Sequence, residues 1–196
     1  MANETNSVKN NTQTGDPVLH NTSHDTVPLK KFFMDALKDM LWAEKAIVTG
    51  LQKLQKAAAS EELADTFHEH ELQTNKHIAR LEKVFDMLGE KAEAKKCKAM
   101  EGILKEADEI VEGTPEYSAT RDAAIIIAAQ KVEHYEIATY GGLVAIAHTL
   151  GYGRIAGLLQ KTLQEEEETD YNLTEVAECH INFEAVQEDI EEEAPV

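Results

Sequence analysis

The stretch that decides the fold is QKVEHYEIATYGG, residues 130–142. It follows RDAAIIIAA (121–129), the most apolar run in the chain. Apolar residues flank it in helical order, yet Glu133 and Glu136 fall on the face that a packed helix buries. A buried ionised carboxylate is very costly unless it is paired or bound to a cation. The question is what lies opposite these two acids.

Working outward, three further long helical patterns carry a 3-4-3-4 spacing. The first runs from Leu29 to Ala59, with the stripe Phe33, Leu37, Met40, Glu44, Ile47, Leu51, Leu54 and Ala58. Ser60 is placed to cap the second, with Glu61 and Glu62 in its first turn. That second helix, 61–88, has the stripe Leu63, Phe67, His70, Thr74, His77, Leu81, Val84 and Leu88, and Gly89 stops it. A shorter helix is expected over 94–112. The third long helix starts at Pro115 or Ser118 and ends at Leu150, with the stripe Ile126, Ala129, Glu133, Glu136, Tyr140, Leu143, Ala147 and Leu150. After a tight turn at GYG (151–153), the fourth runs from Arg154 to Cys179 or His180. Its stripe is Ala156, Leu159, Leu163, Glu166, Asp170, Leu173 and Ala177.

Short connections join the first helix to the second and the third to the fourth, which makes two antiparallel hairpins. At ~1.5 Å per residue each long helix spans roughly 35–45 Å. The chain is therefore expected to be all-α: a ferritin-like four-helix bundle, its hairpins joined by a crossover that contains the short fifth helix. The expected domains are a disordered arm at 1–28, the bundle at 29–180 and an acidic tail at 181–196.

Every stripe is apolar except near its middle. There the helices offer Glu44, then His70, Thr74 and His77, then Glu133 and Glu136, then Glu166 and Asp170. Reflection about the turn near 59–60 brings Glu44 level with residue 75, beside Thr74 and His77. Reflection about 152 brings Glu133 and Glu136 level with Asp170 and Glu166. Five carboxylates converge with no inward Lys or Arg on these stripes to neutralise them. Carboxylate oxygen with imidazole suits iron or manganese, with zinc as a further option. His77 is favoured over His70 as the ligand by height. Tyr140, Gln130 and Glu165 are candidates to support the ligands. His68 and His134 fall off the stripes, and His148 and His180 lie near helix ends.

Composition narrows the partners. The 196 residues include 42% apolar and 29% charged, with only 10 Gly and 4 Pro, which favours helices over turn-rich sandwiches. A net charge of −18 opposes nucleic acid and anionic membrane surfaces. No apolar run approaches the roughly 18–20 residues of a membrane span. Cys97 and Cys179 give neither a disulfide framework nor a CxxC knuckle, so a reducing cytoplasm is expected. Residues 1–28, with His20 and His24, are rich in Asn, Thr, Ser and Asp, a composition that favours disorder. EAVQEDIEEEAPV (184–196) carries six acids and no base and reads as a solvated end.

FFMDALKDMLWAEKAI, HELQTNKHIARLEKVF, KKCKAMEGILKEADEIVE, RDAAIIIAAQKVEHYEIATYGGL and LLQKTLQEEEETDYNLTEVA together resemble the YciE/YciF family of ferritin-like stress proteins. The resemblance covers residues 29–180. It implies a ferritin-like bundle, a homodimer, a carboxylate-rich metal site and a ferroxidase role in stress responses. Carried over, the metal positions are Glu44, the helix-two histidines, Glu133, Glu136, Glu166 and Asp170. The chain departs from the broader ferritin-like pattern of Glu-x-x-His on two helices. Position 74 is Thr, the fourth helix has no inward His, and the third carries an extra Glu-x-x-Glu.

The leading expectation is an oxidoreductase that oxidises Fe(II) with O2 or peroxide on two iron ions. Glu44, Glu133, Glu136 and Glu166 would carry that chemistry, with Glu133 or Glu136 bridging two ions and His77 capping one. A non-enzymatic, stress-induced metal-binding protein is the second reading. A manganese protein that disproportionates peroxide is the third.

Overall fold

The computed structural model describes residues 28–192. The arm expected at 1–28 therefore lies almost wholly outside the described residues, with His20 and His24. All regular structure among the described residues is helical: α1 Pro28–Ala57, α2 Glu61–Leu88, α3 Lys98–Gly113, α4 Ala119–Thr149, α5 Gly153–Val176 and α6 Asn182–Glu192. A single π-helical turn, Ala177–Ile181, joins α5 to α6.

Local chemistry sets most of the boundaries. Ser60 sits in extended backbone, and its Oγ accepts the Leu63 N–H at 3.4 Å. Gly89 ends α2 at φ 71°, where a Cβ would be strained. Cys97 caps α3, its Sγ accepting the Met100 N–H. Ser118 caps α4, its Oγ accepting the Arg121 N–H at 3.0 Å, so Pro115 lies outside the helix.

α1 packs on α2, α4 on α5, α2 on α5 and α1 on α4, while α3 lies against α1 and α4. Cross-contacts run in opposite order along neighbours. Gln52 meets Glu71 and Lys45 meets Glu82 across α1 and α2. His70 meets Thr169 and His77 meets Glu165 across α2 and α5. α1 and α2 are thus antiparallel, as are α2 and α5, whereas α3 runs parallel to α1, with Leu104 beside Gly50 and Asp108 bonded to Lys53.

The stripes read from sequence are the buried faces. Phe33, Leu37, Met40, Ile47, Leu63, Phe67, Leu81, Val84, Ile126, Leu143, Ala156, Leu159 and Leu173 are all at most 2% exposed. Burial of a large aliphatic or aromatic side chain contributes about 1.5–3 kcal/mol, so these layers hold the helices together above and below the polar middle. α4 is buried on more than one face because α3 packs on it as well, and Ala128 and Val132 share a cavity wall with Leu104 and Ala107 of α3.

The C-terminal region departs from the expected solvated tail. The chain continues through the π-helical turn into α6, which packs on α4. There Glu188 accepts the backbone N–H groups of Ala119 and Thr120 at 2.8 and 3.2 Å. An acid at the positive end of α4 is favourable, and this one arrives from 69 residues away in sequence. None of the described helices is long and apolar enough to cross a membrane.

Candidate metal centre

The polar middles of the four long helices meet. Glu44 comes from α1, His70 and His77 from α2, Glu133 and Glu136 from α4, and Glu166 from α5. All are between 0 and 3% exposed. Their donor atoms fall into two groups, His70, Glu133, Glu136 and Glu166 in one and Glu44, His77 and Glu166 in the other. Within each group the atoms lie within 4.8 Å of one another, and Glu166 is common to both.

The approaches are short but mostly lack hydrogen-bond geometry. His77 Nδ1 is 2.8 Å from Glu166 Oε1 and 3.6 Å from Glu44 Oε2. His70 Nε2 is 3.3 Å from Glu133 Oε1 and 3.8 Å from Glu166 Oε2. Eight buried atoms of the cluster have no hydrogen-bond partner: Glu44 Oε2, His70 Nε2, His77 Nδ1, Glu133 Oε2, and both oxygens of Glu136 and of Glu166. Buried polar atoms are nearly always satisfied in folded proteins. Eight orphans aimed into one space fit cation ligands that have closed around a common point.

Outer contacts select which histidine nitrogen faces inward. Thr169 Oγ1 has the Glu165 carbonyl at 3.0 Å as acceptor for its proton and lies 3.2 Å from His70 Nδ1, a geometry that suits an N–H on Nδ1. That leaves His70 Nε2, the nitrogen that a cation would take, facing Glu133 and Glu166. His77 Nε2 lies 3.0 Å from Glu165 Oε2, to which it donates, leaving Nδ1 for Glu44 and Glu166. Arg80 in turn donates to Glu165 at 2.8 Å and to Thr162 Oγ1. An imidazole held by a carboxylate or hydroxyl on its far nitrogen is the usual arrangement of a metal-bound histidine.

Electrostatics record the same surplus of negative charge. Burial and the neighbouring Glu166, Glu44 and Glu133 carboxylates push the Glu136 carboxyl well above its ordinary value. Burial also raises Glu166, to about 7, with His77 pulling the other way. Burial would lower both imidazoles, but the carboxylates override it. Glu133, with Glu166, takes His70 up to about 9, and Glu166 and Glu44 take His77 up to about 10. Without a cation, the cluster compensates its charge by holding protons.

Most of the residues expected from sequence come together, and both histidines do, each in its own group. Asp170 does not join either group. Its carboxylate lies 3.3 Å from Gln130 Nε2 and 3.6 Å from the exposed His134. The inward face of α5 is Thr162, Glu166, Thr169 and Leu173. Position 169 therefore turns toward α2, and position 170 toward the outer side of α4. Thr74 is buried but gives its hydroxyl to the His70 carbonyl. Tyr140, fully buried, donates to Glu44 Oε1, and burial with the Glu44 charge holds its phenol well above its ordinary value. Thr169 and Arg80 were not singled out from sequence. Thr169 stands three residues after Glu166, and Arg80 three after His77, a spacing that signals a shared helix side.

Comparison with known proteins adds relatives to this geometry. Residues 28–186 match a domain family of unknown function, DUF892. The chain is 44% identical over 158 residues to Protein YciF of Escherichia coli (strain K12), covering 80% of this chain and 95% of that one. The crystal structure of the E. coli stress protein YciF superposes with a TM-score of 0.75, at 43% identity, over 79% of this chain and 97% of that chain. YcfI of Rhodopseudomonas palustris, described as a candidate structural protein, gives 0.74 at 37% identity, over 78% and 97%.

Proposed function

We propose a function from two premises: the chain belongs to the DUF892 family, and its core holds two donor groups that share Glu166. The pairing of the four long helices is read as a ferritin-like bundle and the core as a site for two cations. Glu44, His77 and Glu166 would hold one, and His70, Glu133, Glu136 and Glu166 the other, with Glu166 bridging. The observation that carries this reading is the set of eight buried donor atoms without a hydrogen bond. With both imidazoles neutral, four carboxylates balance two divalent ions. Oxygen-rich ligands with imidazole select iron or manganese, with zinc as a further fit.

The reading extends to a ferroxidase that takes Fe(II) as substrate. Two Fe(II) ions each lose one electron, and dioxygen takes both with two protons and leaves as hydrogen peroxide. With peroxide as oxidant, the same two electrons and two protons yield two waters. Glu166 sets the two cations side by side, Glu165 and Thr169 fix the two imidazoles, and Tyr140 holds Glu44. The apolar layers above and below exclude bulk water, which strengthens each charge interaction inside. Because E. coli YciF is described as a stress protein, a role in stress protection as a cytoplasmic homodimer completes the reading.

A second reading, in which the metal is a core staple of a structural protein, is favoured by the full burial of every donor. Anaerobic titration with Fe(II), followed by O2 or peroxide, separates the two. The ferroxidase reading requires stoichiometric binding and oxidation faster than in buffer. Binding without faster oxidation leaves the staple. Manganese retained on purification, with peroxide turnover, would instead mark a disproportionating protein.

A further inference from the structure

A cavity of about 70 Å³ lies between α1, α3 and α4 and ends on Glu133. Its wall is formed by Ile47, Leu51, Leu104, Ala107, Ala128 and Val132. Its outer end reaches the exposed Lys53, which is bonded to Asp108 at 2.8 Å. Gly50 also lines it, and a Cβ there would come within 3.0 Å of Leu104 Cδ2. The missing side chain keeps this passage from narrowing.

A second cleft, of about 50 Å³, approaches the cluster from elsewhere, between α2 and α5. Its lining of Thr66, Glu69, Gln73, Thr169 and Asn172 is polar, and it ends on His70. His70 and Glu133 belong to the same donor group. One group is thus approached by a polar cleft at its imidazole and by an apolar cavity at its carboxylate.

We propose that the apolar cavity is the binding site and route for the oxidant, and that this oxidant is dioxygen rather than hydrogen peroxide. The proposal rests on the oxidation reading above. A cavity needs polar partners to hold water, two to four per molecule; here the exposed Thr49 and Lys53 stand with Asp108 at the outer end and Glu133 at the inner one, and the wall between them is aliphatic. Hydrogen peroxide is as dependent on hydrogen bonds as water, so it would lose them on entry. Dioxygen has none to lose. A volume of about 70 Å³ is ample for a diatomic. Dioxygen would reach the cluster at Glu133 and take one electron from each of two Fe(II) ions. With two protons it becomes hydrogen peroxide, a polar product suited to the cleft at His70.

The test fills the cavity away from every donor. Ala128→Leu occupies the space, and Gly50→Ala narrows it through Leu104. Oxidation of bound Fe(II) by O2 should fall by about tenfold in Ala128→Leu and less in Gly50→Ala, while oxidation by hydrogen peroxide stays within about twofold. Anaerobic iron stoichiometry should be unchanged in both. Xenon under pressure should occupy the cavity in the unmodified protein and be absent from Ala128→Leu, a readout independent of any oxidation. Equal losses with both oxidants, no loss with O2, or no xenon in the unmodified protein would overturn the proposal. If the unmodified protein oxidises Fe(II) with neither oxidant, the ferroxidase reading itself fails, and the cavity loses this role with it. Should Ala128→Leu fail to fold, Gly50→Ala and the xenon measurement still decide.

Discussion

Asp122 and Glu136 stand about four turns apart on one helix, α4, and both are all but inaccessible, at 2 and 1% exposure. Their surroundings are opposite. Asp122 accepts the backbone N–H groups of Ala59 and Ser60 at 2.8 and 2.7 Å, one on each oxygen. It closes the α1–α2 connection against α4 and needs nothing more. Neither oxygen of Glu136 has a hydrogen-bond partner, and three further carboxylates surround it. One buried acid is part of the scaffold. The other is stabilised only by a proton or a cation. Burial alone therefore does not distinguish a scaffold carboxylate from one free to take a cation; the accounting of its lone pairs does.

The contrast can be broken by exchange of roles. The largest effect is expected at Glu166, common to both donor groups. Glu166→Ala should abolish retention of metal at both positions, read as metal content after gel filtration. Retention of the full complement would remove Glu166 from the bridging role. Asp122→Ala should cost about 2–4 kcal/mol, because two backbone N–H groups lose their partner, while metal content stays intact. Glu136→Gln should do the reverse, losing metal while the metal-free protein melts no lower than the parent. If both substitutions destabilised the metal-free protein alike, the distinction between the two acids would collapse.

A smaller effect is expected one layer out. Glu165→Ala removes the acceptor for His77 Nε2 and the partner of Arg80. Metal affinity should weaken by about 10–100-fold without a change in stoichiometry, measured by competition with a chelator. The smallest effect is graded with pH. His70, His77 and Glu166 all have raised values in the folded, metal-free protein, at about 9, 10 and 7. The folded state then binds more protons than the unfolded one, so metal-free stability falls as pH rises. For Glu166 that loss runs from about 4.5 to 7, and for the histidines from 6.5 to about 9 and 10. A cation must displace those protons, so its affinity rises over the same window. The gap in Tm between metal-loaded and metal-free protein should therefore widen between pH 6 and 8. A gap that is flat or narrows would contradict the protonated cluster.

Much of this was legible in the sequence. Helix stripes, the Ser60 cap, the Gly89 stop and the inward acids all follow from periodicity and short-range chemistry. What escaped depends on contacts between hairpins. Heights compared within a hairpin favoured His77 and set His70 second. His70 lies two turns away, roughly 10 Å along α2, where α5 of the other hairpin supplies Thr169 and Glu166. The choice between positions 169 and 170 on α5 turned on a rotation of less than one residue. Periodicity placed Asp170 inward, while packing against α2 and α4 places Thr169 there instead. α6 escaped because its acids read as a solvated run, yet Ile181 is buried and Glu188 caps α4.

The central claim is that two cations share Glu166 in the core. The most direct measurement is anomalous diffraction from crystals loaded anaerobically with Fe(II), combined with metal content per chain. The account predicts two peaks, one within bonding distance of His70, Glu133, Glu136 and Glu166, the other of Glu44, His77 and Glu166. No peak in the cluster, or metal bound instead at Asp170 and His134, would contradict it.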